Sequence, residues 1–100
     1  MNQNTTTLDS LAEYLRAGWA KAVANLNATA EQKVTGSLKG TFLAHLEDNG
    51  AESLLNFAEG YNTRLIALHE HPATPWAVKA MLSRQIVVTE TVIARLRYLN

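Results

Sequence analysis

The residues best suited to acid–base or metal chemistry are three histidines, His45, His69 and His71. Two of them follow an arginine closely, in the stretch RLIALHEHPATPW at 64–76. A guanidinium that holds phosphate beside an imidazole that moves a proton could support ribonuclease chemistry. On a helix of about 100° per residue, however, Arg64 and His69 lie about 140° apart. Arg64 and His71 nearly coincide in angle, but Pro72 disfavours helical geometry at His71. His69 near a helix C-terminus also suits the helix dipole. His45 differs, because it falls within an apolar stripe. Gln85 and Tyr61 hold comparable places in their own segments, so the three are expected to form a buried polar set. There His45 bonds Tyr61, Gln85 or a backbone carbonyl, since buried polar groups need partners.

Metal chemistry finds little support. A dimetal bundle centre uses Glu-x-x-His pairs facing inward. The residues three before the histidines are Phe42, Ile66 and Leu68. His69 and His71, two apart, point to different sides of a helix. No Gly-rich phosphate loop or serine elbow is present. No metal and no cofactor are expected.

Two short resemblances add expectations. Arg64-x4-His69 and Arg64-x6-His71 resemble the active motif of HEPN-type ribonucleases, all-helical proteins that dimerise to pair two such motifs. Leu65 stands where that family usually has a polar residue. The resemblance implies Arg64 with His69 or His71 as catalytic residues, in an active enzyme or an inactive relative. The stretch GSLKGT, 36–41, resembles the His-x-Leu-Lys-Gly core of histidine phosphotransfer domains, which are also four-helix bundles. Gly36 takes the place of their phosphorylated histidine, so no phosphoryl carrier is implied.

The elements that must position these residues are helical. In the first segment apolar residues recur in steps of three and four: Leu8, Leu11, Ala12, Leu15, Trp19, Ala22, Val23 and Leu26. Thr7 is the expected N-cap, with Ser10 and Glu13 at capping-box spacing. Thr29 with Gln32 opens a second helix, with Val34, Leu38, Phe42, His45 and Leu46 on its stripe. The DNG at 48–50 stops it. The third carries Ala51, Leu54, Ala58, Tyr61, Leu65 and Leu68, and ends before Pro72. Thr74 then Pro75 reads as an N-cap followed by proline at the first helical position. The fourth uses Val78, Met81, Leu82, Val88, Val92, Leu96 and Leu99. The expected fold is all-α, an antiparallel up-down-up-down four-helix bundle with helices at about 8–27, 30–48, 51–70 and 75–98. It forms one domain over 1–100, with 1–6 as a flexible tail.

The bulk numbers narrow function by exclusion. The chain of 100 residues is 47% hydrophobic and 18% charged, ordinary for a globular domain. Nine basic residues balance nine acidic ones, which argues against a nucleic-acid partner held by a basic face. With no cysteine, disulfides and thiolate chemistry are excluded. No signal peptide and no membrane-spanning run is visible, so a cytoplasmic protein is expected.

Some apolar residues exceed what a bundle core needs. Trp76, Ala80, Ser83, Val87, Ala94 and Tyr98 form a second line on helix 4, and Trp and Tyr are enriched in interfaces. Gly36, Gly40 and Ala44 form a row of small residues on helix 2, with Leu43 beside it. Two interior glycines cost about 1 kcal/mol each relative to alanine, which close approach of another helix would offset. Both faces are expected to bind a partner, another protein or a second copy in a homo-oligomer, most simply a dimer. The leading expectation is a small non-enzymatic protein-binding module. It would be an inhibitor or adaptor of the kind a phage or mobile element uses to block a host machine such as a defence complex. That last step is class-level analogy. The alternatives are the HEPN-like ribonuclease and a small-ligand sensor built on the His45–Tyr61–Gln85 interior.

Overall fold

The structure, a computed structural model, describes the backbone of residues 3–98 and the side chains of 8–98. It consists of four helices: α1 Gln3–Ala24, α2 Ala30–Asn49, α3 Ala51–Glu70 and α4 Trp76–Tyr98. No strand occurs among the described residues. Leu99 and the start of the expected tail, Met1 and Asn2, lie outside the described residues.

Local chemistry explains the helix ends. α1 starts at Gln3. Residues 3–6 are therefore helical rather than a tail, and Thr7, Ser10 and Glu13 sit inside the helix rather than capping it. It stops at Ala24, short of the expected 27. There the Asn25 side chain accepts from the Asn27 backbone N–H at 3.0 Å, a local alternative to the helical ladder. α2 opens on the expected capping box. The Thr29 hydroxyl accepts from Gln32 N–H at 3.1 Å, and Gln32 Oε1 accepts from Thr29 N–H at 3.0 Å.

One residue, Gly50, joins α2 to α3. Its N–H donates to the Leu46 carbonyl and its own carbonyl accepts from Leu54 N–H. Its φ of 88° is open to glycine without a Cβ penalty. α3 stops ahead of Pro72 as expected. Thr74 departs from expectation. Its hydroxyl donates back to the Leu68 carbonyl at 2.6 Å, so it finishes α3 instead of starting α4. Pro75 is not the first helical residue either. Its carbonyl takes the first α4 bond, from Lys79 N–H at 3.0 Å, and the helix proper begins at Trp76.

Cross-helix pairs fix the arrangement. Trp19 meets Gly40, Gly18 meets Lys39, and Arg16 pairs with Glu47, so α1 and α2 run in opposite senses. His45 with Ser53 and Phe42 with Phe57 do the same for α2 and α3. His69 with Ser83 and Glu59 with Arg97 do so for α3 and α4. The tightest pairings are the hairpins α1–α2 and α3–α4. α2 and α4 each touch all three other helices, whereas the backbones of α1 and α3 do not approach one another. The bundle is therefore built around the α2–α4 diagonal, with α1 and α3 held apart on either side of it.

The two hairpins are also offset. Glu31, in the first turn of α2, pairs with Arg84 at 2.8 Å. The first eight residues of α4, 76–83, thus run about 12 Å past the start of α2. The overhang accounts for a longest extent of 48 Å, where a helix of α4's length spans only about 35 Å. The radius of gyration, 14.1 Å, exceeds the roughly 13 Å of an average domain this size.

The core lies towards the end that carries the α2–α3 turn. Leu11, Leu15, Phe42, Leu54, Ala58 and Val92 are wholly buried there. At the end with the 25–29 and 71–75 connections, five residues expected in the core are exposed instead: Trp19, Val23, Leu26, Leu68 and Val78. Leu68 and Val78 lie on the overhang, past the point where the other hairpin is present to cover them, while Trp19 and Val23 lie against the side of α2.

Candidate interaction surfaces

Arg64, His69 and His71 do not converge. Arg64 is exposed, with its guanidinium carbon 5.8 Å from the centre of the Tyr61 ring. His69 is half-buried between α3 and α4. Its Nε2 lies 3.1 Å from Ser83 Oγ and its Nδ1 3.3 Å from Glu70 Oε1. His71 has left the helix, with φ −67° and ψ 130°, and its Nδ1 accepts from Ala73 N–H at 3.1 Å. Each imidazole is engaged in finishing the α3–α4 turn. No group of three or more His, Asp or Glu side chains placed to hold a metal ion occurs among the described residues.

The expected polar trio is also dispersed. His45 is partly buried, as its place on the stripe implies, but its partner is Ser53 Oγ on α3, at 2.9 Å from Nε2. It bonds neither Tyr61 nor Gln85. Phe57 separates His45 from Tyr61. The His45 ring stacks on Phe57 at 4.7 Å between centroids, and Phe57 in turn lies 6.0 Å from Tyr61. Tyr61 and Gln85 do share a cleft, with Val34, Leu38, Ser37 and Thr41. The interior is therefore an aromatic ladder along α2 and α3, not one polar chamber. Sequence reasoning missed Ser53 because a serine one turn into α3 carries no periodic signal.

The small-residue row on α2 requires a close neighbour, and the neighbour is α1. A Cβ built on Gly36 would overlap Ala22 Cβ, and one on Gly40 would meet the Trp19 ring at 2.6 Å. Leu43 is buried in the core and only Ala44 is exposed. Gly36, Gly40 and Leu43 are thus consumed within the chain and do not form a partner surface. The glycine spacing reads helix approach correctly but does not say which helix approaches.

The second line on α4 is where the sequence places it. Trp76, Ala80, Ser83, Val87, Ala94 and Tyr98 are all exposed. Trp76 is 82% exposed and Val87 61%, so Trp76 does not fold back over the α3–α4 turn. The tip adds Ile66, Leu68 and Val78, exposed residues of the same hairpin. Trp19, Val23 and Leu26 emerge at the same end from α1 and the connection after it. Large apolar side chains aligned along one exposed helix face, as on α4, mark a binding site more often than scattered ones do.

The chain matches no protein-family model, no curated protein and no solved structure. No helix among the described residues is long and apolar enough to cross a membrane.

Proposed function

We propose that this protein acts without catalysis, by binding another protein through the outer face of α4, and that a second copy of the chain is one occupant of that face. The observation that carries the reading is the exposure of Trp76, Val87 and Tyr98 along one side of a helix whose other side fills the core. Tryptophan and tyrosine dominate binding hot spots, and a chain of zero net charge puts little repulsion between copies. A compact bundle of this kind suits a small cytoplasmic inhibitor or adaptor, whose action is to cover a surface of a larger machine. A phage or mobile-element origin is consistent with that action by class analogy.

The test is Val87→Asp. It places a charge at the middle of the face without touching the core. Helicity by circular dichroism is expected to be unchanged, and the native mass to fall from dimer to monomer. A wild-type protein that is already monomeric, or a variant that keeps the dimer mass, removes α4 from the self-association surface.

A further inference from the structure

Zero net charge hides a local imbalance. Residues 17–46 contain Lys21, Lys33 and Lys39 but a single acid, Glu31, and Arg84 occupies that acid from the other hairpin. The remaining carboxylates of α1 and α2, Asp9, Glu13, Glu47 and Asp48, lie towards the opposite end of the antiparallel pair, where Arg16 takes Glu47. Two of the three lysines line one cleft between α1 and α2, of about 160 Å³.

The lining is one-sided chemically. Lys21 and Lys39 share it with Asn25, Gln32 and Thr35, over a floor of Gly18, Ala22, Ala28 and Gly36. Both amide oxygens are already used. Asn25 Oδ1 accepts from Asn27 N–H and Gln32 Oε1 from Thr29 N–H, each at 3.0 Å. That leaves the two NH2 groups as donors. The Thr35 hydroxyl proton goes to the Gln32 carbonyl. Lys39 has a tyrosine face in place of a carboxylate, with Nζ 4.4 Å from the Tyr14 ring centre. It crosses Gly18 to get there. A Cβ at Gly18 would overlap Lys39 Cδ.

We infer that this cleft is an oxyanion site, and that its ligand is a phosphate monoester with a short organic stem. The Lys21 ammonium and the Asn25 and Gln32 amide NH2 groups, with the Lys39 ammonium swung in from the Tyr14 face, would supply the hydrogen bonds such a group accepts, and bonds to charged donors are the strong ones. The floor of small residues lets the stem approach the helices. The volume sets the size, since drug-sized ligands need roughly 300–1,000 Å³. The site lies between α1 and α2, away from the α4 face, and does not depend on what that face binds.

Calorimetric titration of the full chain with glycerol 3-phosphate, with glycerol as the uncharged control, tests the assignment. One site is expected for the phosphate and none for glycerol. Lys21→Gln and Lys39→Gln each weaken binding by about tenfold, whereas Lys33→Gln and Lys79→Gln change it less than about twofold. Gly18→Ala keeps both lysines but displaces Lys39, and weakens binding with the charge intact. Circular dichroism and melting of every variant separate lost binding from lost fold. Vesicles of phosphatidylcholine containing phosphatidic acid distinguish the source of the phosphate. Co-sedimentation that is lost in the Lys21→Gln, Lys39→Gln double variant assigns a lipid headgroup, and binding of the soluble ester alone assigns a free metabolite. No binding of either, or equal losses at Lys33 and Lys21, overturns the site.

Discussion

The two ends of this bundle are built from the same apolar stripes and meet different fates. Around Phe42, helices from both hairpins close over one another, and Leu11, Leu15, Leu54 and Val92 lose all solvent contact. Three turns away the same stripe on α1 reaches Val23, then Leu26 beyond the helix, and Leu26 is 88% exposed. Propensity and capping are sound at both ends. What differs is the neighbour: the α3–α4 tip overhangs the other hairpin, and the last turns of α1 lean on α2. A helical stripe thus specifies a face, while burial requires a second face at the right height.

The largest expected effect tests that difference directly. Phe42→Ala removes a ring that is wholly buried and meets Phe57 and Tyr61 edge-on at 6.0 and 6.1 Å. It is expected to cost about 3–5 kcal/mol in urea unfolding. Leu26→Ala, a truncation of a residue on the same kind of stripe, is expected within about 0.5 kcal/mol of wild type. Similar losses at the two sites would mean that the tips are packed in solution and would break the contrast between the ends.

Two glycines sharpen the same point at smaller scale. Alanine at either Gly36 or Gly60 gains about 1 kcal/mol of helix propensity. At Gly60 no atom stands within 4 Å of the new Cβ, so the gain survives and the variant melts higher. At Gly36 the new Cβ overlaps Ala22 Cβ and comes within 3.2 Å of the Gly18 carbonyl. The helices must part, at a cost of about 1–3 kcal/mol. Melting temperatures that rise for Gly60→Ala and fall for Gly36→Ala are the expected pair. A rise in both would mean that α1 and α2 do not approach as closely as the small residues allow.

What the sequence made legible follows from which signals are local. The Thr29–Gln32 box, the Gly50 stop and the end of α3 before Pro72 are short-range chemistry, and all three stand where the pattern puts them. The start of α1 was illegible because Gln3–Thr7 is a polar run with no apolar period to read. Thr74 was misread because a hydroxyl between two helices can cap either, and here it turns back to Leu68. The α4 outer line was legible, since its angle alone separates it from the core. The Gly36–Gly40 row was half legible: spacing shows that a helix must come close, not that it belongs to the same chain. Nothing local ties His45 to Ser53, and nothing in a balanced total charge shows three lysines gathered on one hairpin.

The smallest expected effect concerns the joint between the two ends. Glu31 and Arg84 pair at 2.8 Å with side chains 33% and 72% exposed. A solvated pair of this kind contributes about 0.2–1 kcal/mol, so Arg84→Ala should barely move global unfolding. Its position makes hydrogen exchange the better measurement. Amides of 65–70 and 76–83 sit on the overhanging tip, with few buried apolar neighbours, and segments of that kind open locally at less than the global cost. They are expected to exchange faster than amides beside Phe42 and Val92, and Arg84→Ala should speed them by no more than about fivefold while leaving the core amides unchanged. If protection is uniform along α4, or if Arg84→Ala loosens the Phe42 end equally, the molecule opens as one unit. The offset would then separate two surfaces but not two stabilities.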